Sequence, residues 1–338
     1  MTSRERSNPS QEDEIALALR WPCSIAKEHD SWWRGALQGC GPFERLTLAY
    51  LGFLNLLLLF FHRNLPGALF FFLGHIVLGA AIVMLAAAAR NSEHAALVAL
   101  WHWYPLGLFL FFFEELHYLV HLVFPGWFDS WLIRFDYALF GAHPTVWLEQ
   151  FASPGRNDLM QLAYMTYYLF PIVLGGVLYR RRELRAFWAI FTGTAAAYYI
   201  GYAVSILFPI EGPYHTLAVL QQVKLEGGVL TSAINWIESF GRVHGAAFPS
   251  AHVSGSFVAL LGAWNYASAR RGEPAGGSRW LFWTFLPFFL LMLVATVYGR
   301  YHYVADVLAG LLVGAIGFRI GVRTSQRQAV PSKPNALL

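Results

Sequence analysis

Eight stretches of this chain are long and apolar enough to cross a bilayer, which takes about 20 mostly apolar residues as helix. They run over roughly 46–62, 66–89, 97–124, 158–179, 185–208, 250–268, 280–298 and 302–322. A bilayer interior offers the backbone no water, so each stretch must close its own hydrogen bonds, and a helix does so. The expected fold is all-α, a polytopic membrane helix bundle of about eight spans. Composition points the same way: 57% of the residues are hydrophobic and 13% charged, where soluble domains carry about 25% charged residues. A soluble enzyme is excluded. The net charge of +4 comes from short basic clusters between apolar runs, so nucleic acid is not an expected partner.

Those clusters set the expected orientation. Of the 24 Lys and Arg residues, 18 fall on one set of alternate connections, including Arg90, Arg180, Arg181, Arg182, Arg185, Arg270, Arg271 and Arg279, and six on the other. The positive-inside rule then puts both termini in the cytoplasm and the connections 125–157, 209–249 and 299–301 outside. Residues 1–45 read as a cytoplasmic segment without a signal peptide, with a short amphipathic helix near Glu14 to Trp21, and residues 323–338 as a disordered cytoplasmic tail. The absence of organelle-type sorting signals is compatible with a bacterial inner membrane. With only Cys23 and Cys40, at most one disulfide can form and no multi-cysteine metal site exists.

Two motifs carry chemistry. In Gly245-Ala246-Ala247-Phe248-Pro249-Ser250-Ala251-His252, Pro249 and Ser250 read as a helix start with His252 in its first turn. N–H groups at such a start favour an anion such as phosphate. In Tyr298-Gly299-Arg300-Tyr301-His302-Tyr303-Val304-Ala305-Asp306, His302 and Asp306 are four apart, one turn on a shared helix face. A carboxylate so placed accepts one imidazole N–H, fixes the tautomer and raises the basicity of the other nitrogen. Ionisable groups at membrane depth are functional candidates by default, and the expected topology brings His252, His302 and Asp306 to one membrane face across 50 residues of chain. The plain alternative is interfacial histidines satisfied by backbone or water.

These stretches resemble the second and third signature motifs of the type 2 phosphatidic acid phosphatase superfamily, and within it the branch of the inositol phosphorylceramide synthases. The resemblance covers about 97–322, a six-helix core in that superfamily, and leaves 46–96 as two additional N-terminal spans. It implies a lipid phosphotransferase or phosphatase in which His302 attacks phosphorus, Asp306 orients it and His252 protonates the departing alcohol. Arg300 would hold the phosphate with Ser250 and the helix start, Arg242 and Lys224 being further cations. The superfamily's first motif is absent. In its place stands Phe208-Pro209-Ile210-Glu211-Gly212-Pro213-Tyr214-His215, a Pro-x-x-Gly-Pro element of the transferase-like branch, and Ala295-Thr296 stands where the third motif usually has Ser-Arg. Substrate contacts are therefore expected at Pro213, Tyr214 and His244, with a phospholipid or lipid phosphate as donor, a lipid alcohol as acceptor, and neither cofactor nor metal.

Glu114, Glu115, His117 and His121 share a helical stretch at a spacing some metal sites use. No matching second motif exists, which leaves a polar seam or head-group contacts as the competing readings. The stretch Asp136 to Pro144 is expected to flank the site, Trp127, Trp131 and Trp147 to form an interfacial belt, and Tyr164, Tyr167, Tyr168, Tyr198, Tyr199 and Tyr202 to pack between helices. A proton-coupled transporter is the competing class. It predicts broken helices in matching halves, a pattern the sequence lacks.

Overall fold

Large apolar side chains face outward along the spans: Phe60 is 73% exposed, Phe70 76% and Val77 68%. In water such a surface drives aggregation, whereas in lipid it is the solvated face. The computed structural model describes residues 39–90, 92–241, 243–266 and 279–326. The helices that build the bundle are α1 (Pro42–Phe61), α2 (Ala68–Arg90), α3 (Ala95–Leu119), α4 (Asp129–Phe140), α5 (Pro154–Met165), α6 (Leu169–Arg180), α7 (Leu184–Leu207), α8 (Val229–Gly241), α9 (Ala251–Asn265), α10 (Trp280–Tyr298) and α11 (Val304–Gln326). Among the described residues there is no strand, only an isolated parallel bridge between Ile210 and Ala246. Among the described residues seven segments are long and apolar enough to span a membrane, so the chain is an all-α polytopic membrane bundle. The remaining expected span corresponds to α9, whose 15 described residues fall short of the roughly 20 a crossing takes.

The bundle is organised around α7. Of its most apolar stretch 78% is buried, against 28–39% in the other six spans. Small residues make this feasible: α7 and α11 meet where a Cβ on Gly317 would lie 2.5 Å from the carbonyl oxygen of Gly193, and a Cβ on Gly314 would lie 2.7 Å from that of Ser254 in α9. Backbones that close exclude any larger side chain, the usual device of helix contact in membranes. Helices α7, α9 and α11 thus form the inner layer, with α10, α6, α3 and α1 packed around it.

Three boundaries differ from the sequence expectation. The first span begins at Pro42 because Pro occupies the first helical position and Glu44 Oε2 accepts the Gly41 N–H at 2.8 Å. The fourth span, Pro154 to Arg180, is interrupted by a 3₁₀ turn at Thr166–Tyr168; Pro171 has no N–H for the carbonyl of Tyr167 and its ring crowds that turn. Helix α11 continues to Gln326, past the expected end at 322, with the hydroxyls of Thr324 and Ser325 bonded back to carbonyls of its last turns. The expected helix near Glu14, Cys23 and the tail beyond 326 lie outside the described residues, while Cys40 is buried.

Candidate active site

The site is assembled where the starts of α9 and α11 meet. Ser250 caps α9, its hydroxyl accepting from the Val253 N–H at 3.4 Å, and His252 follows in the first turn. Helix α11 begins only at Val304, so His302 precedes the helix instead of sharing a face with Asp306, and the expected pairing arises differently. Asp306 reaches back from the first turn, Oδ2 accepting the Tyr303 N–H at 2.7 Å and facing His302 Nδ1 at 3.3 Å. Ser250 N–H donates to the Asp306 carbonyl at 3.1 Å and locks the two helix starts together.

The two histidines then meet: His252 Nδ1 is 3.1 Å from His302 Nε2, and His252 Nε2 is 2.9 Å from the Tyr164 hydroxyl. With Asp306 as carboxylate, one proton arrangement satisfies every contact. Tyr164 O–H donates to His252 Nε2, His252 Nδ1–H to His302 Nε2, and His302 Nδ1–H to Asp306. The lone pair on His302 Nε2 is thereby oriented toward His252. The 3.3 Å bond to Asp306 is long, as such bonds often are before substrate tightens them.

These groups line a cavity of about 130 Å³ shared by His252, His302, Arg300, Tyr164, Tyr214, Glu211, His215 and His244, with Phe113, Tyr167 and Tyr301 among its apolar walls. Arg300 has a left-handed backbone (φ 63°) at the turn that ends α10. Its Nη2 donates to Glu149 Oε1 at 2.7 Å and to the Val223 carbonyl at 2.5 Å, and its buried Nε has no hydrogen-bond partner. A buried donor left unmade costs about 1–3 kcal/mol, so an anion bound there has a donor waiting.

Other expected contacts fall elsewhere. Ser250 is fully buried as a cap, Pro213 is buried behind the wall, and exposed Lys224 does not line the cavity. Arg242 lies outside the described residues. Glu114, Glu115, His117 and His121 do not act together: Glu115 binds His75 Nε2 at 2.6 Å, His75 Nδ1 reaches Asn55 at 2.7 Å, and Glu114 pairs at the surface with His117. Asn55, His75 and Glu115 form a polar seam between α1, α2 and α3, which Glu114, His117 and His121 do not join.

Tyr164, expected to be packing, is instead at the site, because the Pro171 break lies just beyond it; Tyr198, Tyr199 and Tyr202 do pack inside. Two carboxylates on α4 also support the site: Asp129, missed in the sequence, and Asp136, the first residue of the stretch expected to flank it. Asp129 accepts the N–H groups of Glu211 and Gly212 at 2.9 and 2.8 Å and the Tyr303 hydroxyl at 2.9 Å. Asp136 accepts the first N–H groups of α11, Val304 and Ala305, at 2.9 and 3.0 Å. Their separation by seven residues, two turns on one face of a helix, was the available signal.

A family model described as the PAP2 superfamily matches residues 130–320. No curated protein and no solved structure matches the chain. The family match takes in more than half of the chain and spans both helix starts that carry the histidines, and the chain belongs to the PAP2 superfamily, an integral membrane bundle of the phosphatase and phosphotransferase type that works on lipid phosphates.

Proposed function

We propose that the protein is a lipid phosphotransferase working through a phosphohistidine on His302. The observation that carries this is the directed chain Tyr164, His252, His302, Asp306 at the wall of a cavity, in which Asp306 holds the His302 proton on Nδ1 and leaves the Nε2 lone pair facing His252. In the first step the lone pair of His302 Nε2 attacks phosphorus, Asp306 stabilises the imidazolium that develops, and the bond to the leaving alcohol breaks as His252, which takes up a proton from water when the anionic head group binds, passes that proton to the alcohol and returns to neutral imidazole. In the second, an acceptor hydroxyl attacks the phosphohistidine, His252 takes its proton, and His302 is regenerated. Arg300 Nε and the positive charge of the guanidinium, held by Glu149, stabilise the phosphoryl oxygens. A phosphoryl group inserted between the rings needs roughly twice their present 3.1 Å separation, so substrate binding turns His252 aside.

The Pro209 to Pro213 element, the missing first motif and the aromatic cavity walls support transfer to a lipid alcohol over hydrolysis, and with it the inositol phosphorylceramide synthase-like branch. Residues 97–322 are the catalytic core, with α1 and α2 as additions, and the site faces outward with both termini cytoplasmic. The test is lipid product analysis on detergent-purified protein given phosphatidylinositol or phosphatidic acid, with and without ceramide or diacylglycerol. A new phospholipid that forms only with acceptor is expected. Free phosphate regardless of acceptor assigns a phosphatase, and more than a few per cent of activity in folded His302→Ala removes the histidine assignment altogether.

A further inference from the structure

At the mouth of the same cavity lie three groups the phosphoryl step does not use. Glu211, His215 and His244 each offer a ligand atom, all within 4.8 Å of one another. Main-chain geometry built by distant parts of the chain brings them together. The bridge between Ile210 and Ala246, with Ala247 N–H on the Ile210 carbonyl at 3.3 Å, lays the segment of Glu211 beside that of His244. The Asp129 carboxylate grips the N–H groups of Glu211 and Gly212, and Gly212 turns the chain with φ 102° so that His215 follows within one turn. The rings meet their neighbours edge to face, His244 against Trp127 and His215 against Tyr214, with the imidazole centroids themselves 4.5 Å apart.

We propose that Glu211, His215 and His244 bind a divalent first-row transition metal ion of the zinc type, with the remaining coordination position open to the cavity. Two imidazoles and one carboxylate are a ligand set that zinc uses where a fourth position is left for water or substrate. His244 Nε2 and Glu211 Oε1 now stand 2.8 Å apart with a proton between them, and the ion replaces that proton. Asp129 serves as the outer support that fixes the ligand-bearing turn. The ion's task, holding an oxygen of the lipid head group while His302 carries out the phosphoryl step, rests on the function proposed above.

The experiment uses the full chain, purified in detergent without a polyhistidine tag, stripped with chelator and titrated with Co²⁺ as a coloured substitute. A visible absorption band saturating at one ion per chain is expected. His215→Ala and His244→Ala should lose it, and Glu211→Gln should bind at least about tenfold more weakly, since even outer partners of metal sites are worth roughly 10- to 100-fold. His302→Ala should bind Co²⁺ as the unmodified protein does, which separates this inference from the catalytic one. Absence of a saturable band, or a band that survives in the His215→Ala/His244→Ala double variant, overturns the metal site and leaves the phosphotransfer proposal standing.

Discussion

Each histidine of the pair has both ring nitrogens committed, and its neighbours decide which one bears the proton. Asp306 holds the proton of His302 on Nδ1, and Tyr164 donates to His252 Nε2, so that His252 offers Nδ1–H to the attacking nitrogen. Asp306→Asn keeps an oxygen to cap the Tyr303 N–H but presents an amide to His302, which favours the wrong tautomer. It should leave the fold intact while kcat falls by about 10²- to 10⁴-fold. Tyr164→Phe removes one hydrogen bond worth about 1–1.4 kcal/mol, equivalent to a loss of kcat of about fivefold to tenfold. A Tyr164→Phe enzyme with unchanged kcat would return that residue to a packing role.

At the scale of elements, the position of His302 depends on where α11 starts, and α4 determines that start. The Asp136 carboxylate caps its first two N–H groups, while Asp129 holds Tyr303 just before them. Asp136→Ala leaves those donors buried without a partner and should cost about 1–2 kcal/mol of stability, the range measured for lost caps, with activity falling as well because the loop bearing His302 loosens. Farther along α11, Gly317→Leu forces a side chain against the backbone of Gly193 and should destabilise by at least about 1–3 kcal/mol through overpacking. Thermal unfolding in detergent measures both. The two variants differ in that Gly317→Leu acts on the α7–α11 contact remote from the cavity.

The whole molecule has its polar cavity at one end of a bundle whose flanks suit lipid. The orientation proposed from the basic clusters puts that end outside, and cysteine labelling tests the proposal. Cys40 is a suitable silent background, since burial, reinforced by the nearby Glu44 carboxylate, pushes its thiol pKa up and keeps it protonated at neutral pH. In a Cys23→Ser chain, Val219→Cys, at a loop position 92% exposed, should react with an impermeant maleimide on intact cells. Arg182→Cys, between α6 and α7, should react only after permeabilisation. The opposite pattern would invert the topology.

What the sequence by itself determined are the features written in contiguous residues. An apolar run of 20 residues has few fates other than a spanning helix, so the fold class and nearly all the spans were legible. The two motifs were legible too, since a Pro-Ser helix start and a His–Asp spacing of four are local patterns. The tertiary structure decided the rest. Arg300 reads as a free phosphate clamp until Glu149 and Val223, from segments 151 and 77 residues away, are seen to hold it. Tyr164 becomes a partner of His252 only because Pro171 breaks its helix at the level of the cavity, and Ser250 leaves the substrate contacts because its hydroxyl caps α9. Glu211, His215 and His244 form a cluster only through a single backbone bridge and a carboxylate on α4. Such contacts depend on how distant backbones approach, and in lipid that approach is set by small residues and buried polar pairs. Hydrophobic patterning alone does not record it.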